Sequence, residues 1–295
     1  MKCVKINGVS RLVKKRLSAK PMPRGRPCWQ FLRQTNHPNK QKIFILNRGW
    51  QAAKALVFPV HCASCRQPCH GSADRLLICA TCKISLLRHR TSSCPHCGLF
   101  SQAASRGEKS SLLPANCPGC SQRKLWFDAT LALGPYRDEL REAVLRSKRS
   151  TEEALTLSLG ALMGRRLGPL LETQKIDLIA NTPTHWKRRW QRGVQSTELL
   201  LTGIVSQVKL PVASRLLCSK RFTKKQGTLS SAERFRNVSN AFRVRNRRQV
   251  QGKHVLVVDD VMTSGATLNE LARILHQAGA RKVSNVVLAR GQCSS

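Results

Sequence analysis

Eight cysteines of the chain form four close pairs, each with two residues between its members. The pairs are Cys62 and Cys65, Cys79 and Cys82, Cys94 and Cys97, and Cys117 and Cys120. A pair at this spacing curls the chain so that both sulfurs face one point, and two pairs complete a tetrahedral thiolate shell around zinc. The intervals between the pairs are typical of zinc ribbons, so we pair the first with the second and the third with the fourth. A cross-braced pairing stays open as the alternative.

Two closed four-ligand sites have a structural role, because no position is left for water or substrate on the metal. Ordinary buried cysteines or an iron–sulfur cluster are the alternatives to zinc. Four further residues lie close enough to compete as ligands, and we expect them at the surface or behind the ligands. They are His61, Cys69, His70 and His96.

A second chemical pattern, VLVVDDVMTSGAT, occupies residues 255–267. Its apolar start, 255–258, predicts a buried parallel strand. Asp259 and Asp260 follow it, and their carboxylates can accept hydrogen bonds from sugar hydroxyls. A turn of small and hydroxylated residues comes next. It consists of Thr263, Ser264, Gly265, Ala266 and Thr267.

The elements that follow this turn place it at a helix N-terminus. Leu268, Leu271 and Leu275 lie on one helical face, and Gly279 is a typical helix stop. Residues 283–289 then predict another strand, which completes a βαβ unit. Backbone N–H groups and the helix dipole at such an N-terminus favour a phosphate group.

Taken together, these patterns resemble the ComF family, whose members join zinc ribbons to a type I phosphoribosyltransferase-like domain. The stretch 255–267 is similar to the phosphoribosyl pyrophosphate signature, and the four cysteine pairs precede it. The resemblance runs from about residue 55 to residue 290. It also includes Phe127-Asp128, Tyr136, Arg192-Gly193 and the segment Gln226, Leu229, Ser230, Glu233, Arg234, Asn237, Ala241 and Phe242.

The resemblance implies an α/β fold, with a parallel sheet flanked by helices and preceded by a small double zinc ribbon module. We expect a basic extension at 1–55, the ribbons at 56–125 and the phosphoribosyltransferase-like domain at 126–295. Asp259 and Asp260 would contact the ribose hydroxyls, and residues 263–267 would hold the 5′-phosphate. Mg²⁺ would bridge pyrophosphate and ribose, largely through ligand oxygens and water.

The pyrophosphate side of the expected site departs from the family pattern. A strand at 176–180 precedes four candidate anion partners. They are Lys187, Arg188, Arg189 and Arg192. The family's Pro-x-Pro is reduced at 181–183, and its Leu-Lys-aromatic-x-Gly stretch becomes Ser147-Lys148-Arg149-Ser150-Thr151. This pattern favours ligand binding over turnover.

Charge points to polyanionic partners, since 52 Lys and Arg residues outnumber 15 Asp and Glu residues and leave a formal charge of +37. Residues 1–55 carry 14 basic residues and no acidic one. We expect this extension to be disordered. Three explanations for it stay open: a nucleic-acid-binding arm, a targeting peptide, or a start codon placed too far upstream.

Two functions of different class follow from these observations and from what the resemblance implies. One is a protein that binds phosphoribosyl pyrophosphate or a related nucleotide and has possible phosphoribosyltransferase activity. The other is a non-catalytic protein of competence or DNA uptake, which contacts single-stranded DNA or the uptake machinery and has a regulatory or vestigial nucleotide site. No apolar run reaches the roughly 18 to 20 residues of a membrane span, and no secretory signal is evident, so we expect a cytoplasmic protein.

Overall fold

The computed structural model describes residues 60–69, 76–89, 92–101, 114–121, 124–183, 195–223 and 229–292. All of them belong to one compact unit, Lys54–Ser295. The predicted basic extension at 1–55 lies outside the described residues, and so do the four pyrophosphate candidates at 187–189 and 192.

Six strands occur in these described ranges. They are β1 Ala129–Pro135, β2 Leu178–Asn181, β3 Leu217–Ser219, β4 Phe242–Val244, β5 His254–Met262 and β6 Lys282–Arg290. Four of them form a parallel sheet in the order β1-β6-β5-β2. In the register of this sheet, Asn181 pairs with Val258 and Asp259 pairs with Val287. Strand β2 therefore ends beside the first of the two aspartates.

Helices connect these strands. They are α1 Ala80–Leu86, α2 Pro118–Ser121, α3 Asp138–Ser147, α4 Glu153–Thr173, α5 Ser196–Val205, α6 Ser231–Val238 and α7 Ala266–Gln277. Short 3₁₀ helices form at Pro114–Asn116 and Ser150–Glu152. The predicted βαβ unit is present as β5-α7-β6, and both of its strands are longer than the sequence pattern indicates.

The two faces of the sheet pack against different layers because side chains alternate along each strand. Val255 and Val257 belong to the core that contains the apolar face of α7. Leu256 and Val258 belong to the other core, with α3, α4 and α5. Burial on both faces explains the uninterrupted apolar run of β5. The predicted fold class, a parallel sheet flanked by helices, is confirmed.

Helices α4 and α5 approach each other backbone to backbone at two glycines. A Cβ atom added to Gly160 would lie 2.3 Å from the carbonyl oxygen of Leu200. A Cβ atom on Gly203 would lie 2.3 Å from the carbonyl oxygen of Leu157. Since real Cβ atoms never come this close, the contact that covers one face of the sheet requires glycine at both positions.

Strands β3 and β4 form a separate antiparallel pair, and α6 lies between them in the chain. We call residues 214–250 the hairpin segment. Helix α6 begins with a capping box, and the spacing of Ser230 and Glu233 in the sequence is the one that predicts it. The Ser230 hydroxyl accepts from the backbone N–H of Glu233, whose carboxylate accepts from the backbone N–H of Ser230.

Among the helices in the described ranges, none combines the length and the apolar character needed to cross a membrane.

Candidate functional site

The paired cysteines form two clusters in sequential order. Cys62, Cys65, Cys79 and Cys82 make the first cluster, and Cys94, Cys97, Cys117 and Cys120 make the second. Within each cluster all four sulfurs lie within 4.8 Å of one another. The closest contacts are 3.9 Å in the first cluster and 3.4 and 3.6 Å in the second. Four sulfurs around zinc at about 2.3 Å would be separated by about 3.8 Å, so both clusters fit a tetrahedral ion.

The backbone around each cluster favours thiolate at one cysteine. Burial acts against the charge of Cys62, but backbone N–H groups of Cys65 and Cys79 lower its pKa to about 6. The pKa of Cys94 is lowered by the same kind of hydrogen bond, again against burial. Burial raises the pKa of Cys97 to about 12. A cation at the centre would allow the remaining thiols of each cluster to ionise.

An arginine of α3 docks the first cluster onto the sheet domain. Arg146 donates to the backbone carbonyls of Ser64 and Ala63 at 2.5 and 3.0 Å. It also pairs with the nearly buried Glu152 at 3.0 Å, and Arg66 pairs with the same carboxylate. The turn between Cys62 and Cys65 is thereby held against the end of α3.

The second cluster is part of the domain core. Its buried cysteines pack in the same hydrophobic core as Phe127 and as Met262 at the end of β5. One ring nitrogen of His96 lies 2.7 Å from the carbonyl oxygen of Phe127, and the other lies 3.7 Å from the sulfur of Cys120. His96 thus lies behind the ligands, where it can orient a sulfur.

A buried arginine joins this second cluster to the turn after β5. Arg290, at the end of β6, donates to the carbonyls of Cys97 at 2.9 Å, Met262 at 3.0 Å and Gly291 at 2.5 Å. It also donates to the carbonyl of Thr263. The predicted phosphate loop and one cysteine cluster therefore share a single buried guanidinium group.

The predicted phosphate loop bridges the carboxyl end of β5 and the N-terminus of α7. Gly265 occupies the helix N-cap with φ 75°, in the left-handed region that favours glycine. A Cβ atom there would also lie 2.7 Å from the Met262 side chain. A shallow pocket opens at this point. Its lining residues are Asp259, Val261, Met262, Thr263, Gly265, Ala266, Thr267 and Leu268.

The two aspartates lie within β5, which continues to Met262. The sequence pattern predicts that the strand ends before them, at Val258. Asp259 is almost completely buried, and desolvation together with the neighbouring Asp260 charge raises its pKa to about 8. Asp260 is more exposed, and its Oδ2 lies 3.2 Å from the ammonium of Lys148. At neutral pH the first carboxyl is therefore mostly protonated and the second forms an ion pair.

Lys148 and Arg234 both stand in stretches compared with the family pattern, but the sequence assigns neither of them to this site. Lys148 caps the end of α3, in a stretch that departs from the family pattern. Arg234 reaches from α6 and donates to the Thr263 hydroxyl at 2.9 Å. The phosphate loop has no basic residue of its own, and these two side chains supply positive charge from elsewhere in the chain. Neither follows a spacing that could have singled it out among the many basic residues.

The pyrophosphate side begins where β2 ends. Asn181 and Thr182 are buried at the carboxyl end of β2, and Gln195 is buried just before α5. Lys187, Arg188, Arg189 and Arg192 fall between these two points and outside the described residues. Their role stays a prediction.

The chain is similar to known proteins over most of its length. The family model described as the phosphoribosyl transferase domain matches residues 199–295. A DNA utilization protein, YhgH, of Salmonella typhimurium is 31% identical over 80% of this chain and 99% of its own length. Competence protein F of Haemophilus influenzae is 25% identical over 79% and 98%. A hypoxanthine-guanine phosphoribosyl transferase of L. donovani is 17% identical, with a TM-score of 0.30 over 46% of this chain and 67% of that chain.

A parallel sheet with an acidic strand end and a small-residue loop at a helix N-terminus defines a phosphoribosyltransferase domain, here joined to two four-cysteine clusters. The chain belongs to the ComF/YhgH family.

The buried Asp259 should make the ligand-free protein less stable as the pH rises. Its pKa is about 8 in the folded protein, against an ordinary value of 3.8 for an exposed aspartate, so the folded protein holds a proton that the unfolded chain releases. Stability is lost between about pH 4 and about pH 8. In urea titrations across this range, Asp259→Asn should become progressively more stable relative to the wild type as the pH rises, since it has no proton to lose.

Asp177→Asn is the matched control for this prediction. The pKa of Asp177 is lowered by the backbone N–H of His254, against a smaller effect of burial, so its replacement changes no protonation in this pH window. Parallel stability curves for the wild type and Asp259→Asn would show that Asp259 is ionised in the folded protein.

Proposed function

We propose that this protein binds phosphoribosyl pyrophosphate or a related nucleotide 5′-phosphate at the loop 263–267. The observation that carries the proposal is the junction of β5 and α7, where a left-handed Gly265 opens the N-terminus of a 12-residue helix beside two aspartates. Arg234 adds a positive charge next to Thr263. Phosphate binding at a helix N-terminus uses these features together.

In this proposal, the phosphate, the ribose and the pyrophosphate of the ligand each bind a different set of protein groups. The backbone N–H groups and hydroxyls of 263–267 hold the 5′-phosphate, and Asp259 and Asp260 accept hydrogen bonds from the ribose hydroxyls. Lys187, Arg188, Arg189 and Arg192 contact the pyrophosphate. Mg²⁺ would supply charge neutralisation between pyrophosphate and ribose. Transfer of the ribosyl group would require the protein mainly to hold the leaving group and exclude water.

We also propose that the two cysteine clusters are structural zinc centres, which stabilise the nucleotide site. Each cluster has four sulfurs at tetrahedral spacing and leaves no position for substrate. Arg146 connects the first cluster to the end of α3, next to Lys148, and Arg290 connects the second cluster to the start of the phosphate loop. The ribbons therefore act in the same unit as the phosphate loop.

Thermal shift tests the nucleotide site directly. Phosphoribosyl pyrophosphate with Mg²⁺, at about 100 times its Kd, should stabilise the protein by about 2.7 kcal/mol and raise Tm by about 5 to 10 °C. The double variant Asp259→Asn with Asp260→Asn should lose the shift, because the ribose hydroxyls lose their charged acceptor. Asp177→Asn, which alters an acid at the opposite end of the sheet, should keep it. An unchanged Tm of the wild type at millimolar ligand would refute the nucleotide site.

Metal analysis tests the zinc centres. The purified protein should contain two zinc ions per chain, and Cys97→Ser should lower both the zinc content and Tm. The buried second cluster packs with Phe127, so its loss should lower Tm by at least about 10 °C. Cys218→Ser should change neither quantity, because Cys218 lies outside both clusters. Full zinc content in Cys97→Ser would contradict the assigned ligands.

Single-stranded DNA is a second ligand that we propose, and the hairpin segment favours it. Between residues 214 and 250 the only acidic residue is Glu233, which the helix cap uses. Exposed cations lie in β4 and on both sides of the strand pair, and Phe222 is 51% exposed among them. The exposed cations are Arg215, Lys220, Arg221, Arg236, Arg243, Arg245, Arg247 and Arg248. Basic side chains with an accessible aromatic ring suit a single strand.

The relatives named for DNA utilization and competence agree with this second ligand. The two proposed ligands can bind the same chain, because the hairpin segment contributes Arg234 to the phosphate loop and other, exposed cations to the surface.

Salt dependence tests the hairpin segment as the DNA surface. Replacing Arg243, Arg245 and Arg248 with alanine should reduce the slope of log K against log salt by about 2 for a labelled single-stranded oligonucleotide. The control removes the same charge elsewhere on the surface, at Arg141, Arg166 and Lys209, which are also exposed. Equal losses in both triple variants would show that DNA responds to net charge and not to the hairpin segment.

A further inference from the structure

Lys148 lies against the acidic end of β5, although it comes from a distant part of the chain. Its ammonium is 3.2 Å from Asp260 Oδ2, and its side chain is 38% exposed. Burial acts against its charge, but the Asp260 carboxylate outweighs this effect and raises the pKa of Lys148. The ammonium is thus a fixed positive charge beside both aspartates.

The backbone that carries Lys148 is held on both sides. Two residues earlier, Arg146 is bound to the carbonyls of the first cysteine turn and to Glu152. The carbonyl of Ser147 accepts from the Thr156 hydroxyl of α4 at 3.1 Å. Lys148 therefore starts from an anchored position, and its side chain needs little further ordering to reach Asp260.

The local charges leave little need for a divalent cation at the ribose end of the site. The Asp260 carboxylate is already matched by one ammonium at hydrogen-bond distance. Asp259 is buried, and its carboxyl holds a proton at neutral pH. A metal ion at this point would have to displace Lys148 and also ionise Asp259. The aspartates thus suit neutral hydroxyl groups better than a metal ion.

We propose that Lys148 is the positioning residue of the ribose site and takes the place of a divalent cation there, so that ribose 5-phosphates bind without metal. The inference rests on the proposed nucleotide function and makes it more specific. Asp260 accepts from a ribose hydroxyl while Lys148 holds the carboxylate and donates to the sugar. Mg²⁺ is then required only by ligands that carry pyrophosphate.

The test measures the Kd of AMP, ribose 5-phosphate and inorganic phosphate by calorimetry with the full zinc-loaded chain. The buffer is depleted of divalent ions by resin and contains no chelator, so the cysteine clusters keep their metal. Wild-type protein should bind AMP and ribose 5-phosphate equally well with and without millimolar Mg²⁺. Lys148→Met should bind both about 10- to 100-fold more weakly in the depleted buffer. Mg²⁺ should restore much of this loss.

Three comparisons separate positioning from a general structural effect. Lys148→Arg should retain metal-independent binding, and inorganic phosphate, which needs only the loop 263–267, should bind all variants alike. Lys253→Met is the matched control, because Lys253 pairs with Asp177 at 3.9 Å at the opposite end of β5. It should bind like the wild type.

The outcomes distinguish a failure of the proposed role of Lys148 from a failure of the proposed nucleotide site. Metal-independent binding of AMP by Lys148→Met at wild-type affinity would overturn the role of Lys148 and leave the nucleotide site in place. A wild-type protein that binds AMP only with Mg²⁺ would overturn it too. If neither phosphate, AMP nor phosphoribosyl pyrophosphate binds under any condition, the nucleotide site itself is wrong.

Discussion

The structure depends on the guanidinium group of Arg290, which is 2% exposed at the end of β6. It donates to carbonyls of Cys97 in the second cysteine cluster and of Met262 and Gly291 around the phosphate loop. A buried charge of this kind is costly unless it is hydrogen-bonded, and here Nε and Nη1 donate to carbonyls of two chain reversals. The cysteine cluster and the loop are therefore held by hydrogen bonds to the same residue.

Arg146 makes a similar connection on the other side of the site. It ties the first cysteine turn to the end of α3, where Lys148 points to Asp260. A small cysteine module has too little apolar surface to fold on its own core. In this chain its turns instead present backbone carbonyls to arginines of the sheet domain, so the module and the domain stabilise each other. This arrangement explains why both belong to one compact unit.

Patterns that repeat at short spacing were predictable from the sequence. The cysteine pairs, the β5-α7-β6 unit and the capping box of Ser230 and Glu233 each depend on neighbours in the chain, so their residue types and intervals are sufficient. The apolar run of β5 predicted a buried strand for the same reason, although it could not show that the strand continues through both aspartates to Met262.

The cations of the site could not be predicted, because each arrives through tertiary packing. Lys148, Arg234 and Arg290 lie on different parts of the chain, and 27 residues or more separate them from Asp260 and Thr263, their partners at the site. In a chain with 52 Lys and Arg residues, a single basic side chain carries no information until the fold places it. Strongly shifted pKa values, such as that of Asp259, likewise come from burial that only the folded sheet creates.

Helix α7 relates the phosphate loop to the hairpin segment. Its N-terminus forms the loop, and the carboxylate of Glu270, one turn further along, accepts from the backbone N–H of Asn240 at 2.8 Å. Arg273 binds both Glu270 and the side chain of Asn240, and Arg234 binds Thr263. The hairpin segment is therefore fixed at two points, to the loop before α7 and to the helix itself. If a polyanion on the hairpin segment shifts these contacts, the affinity of the loop for phosphate must change, and linkage requires the reverse effect to be equal.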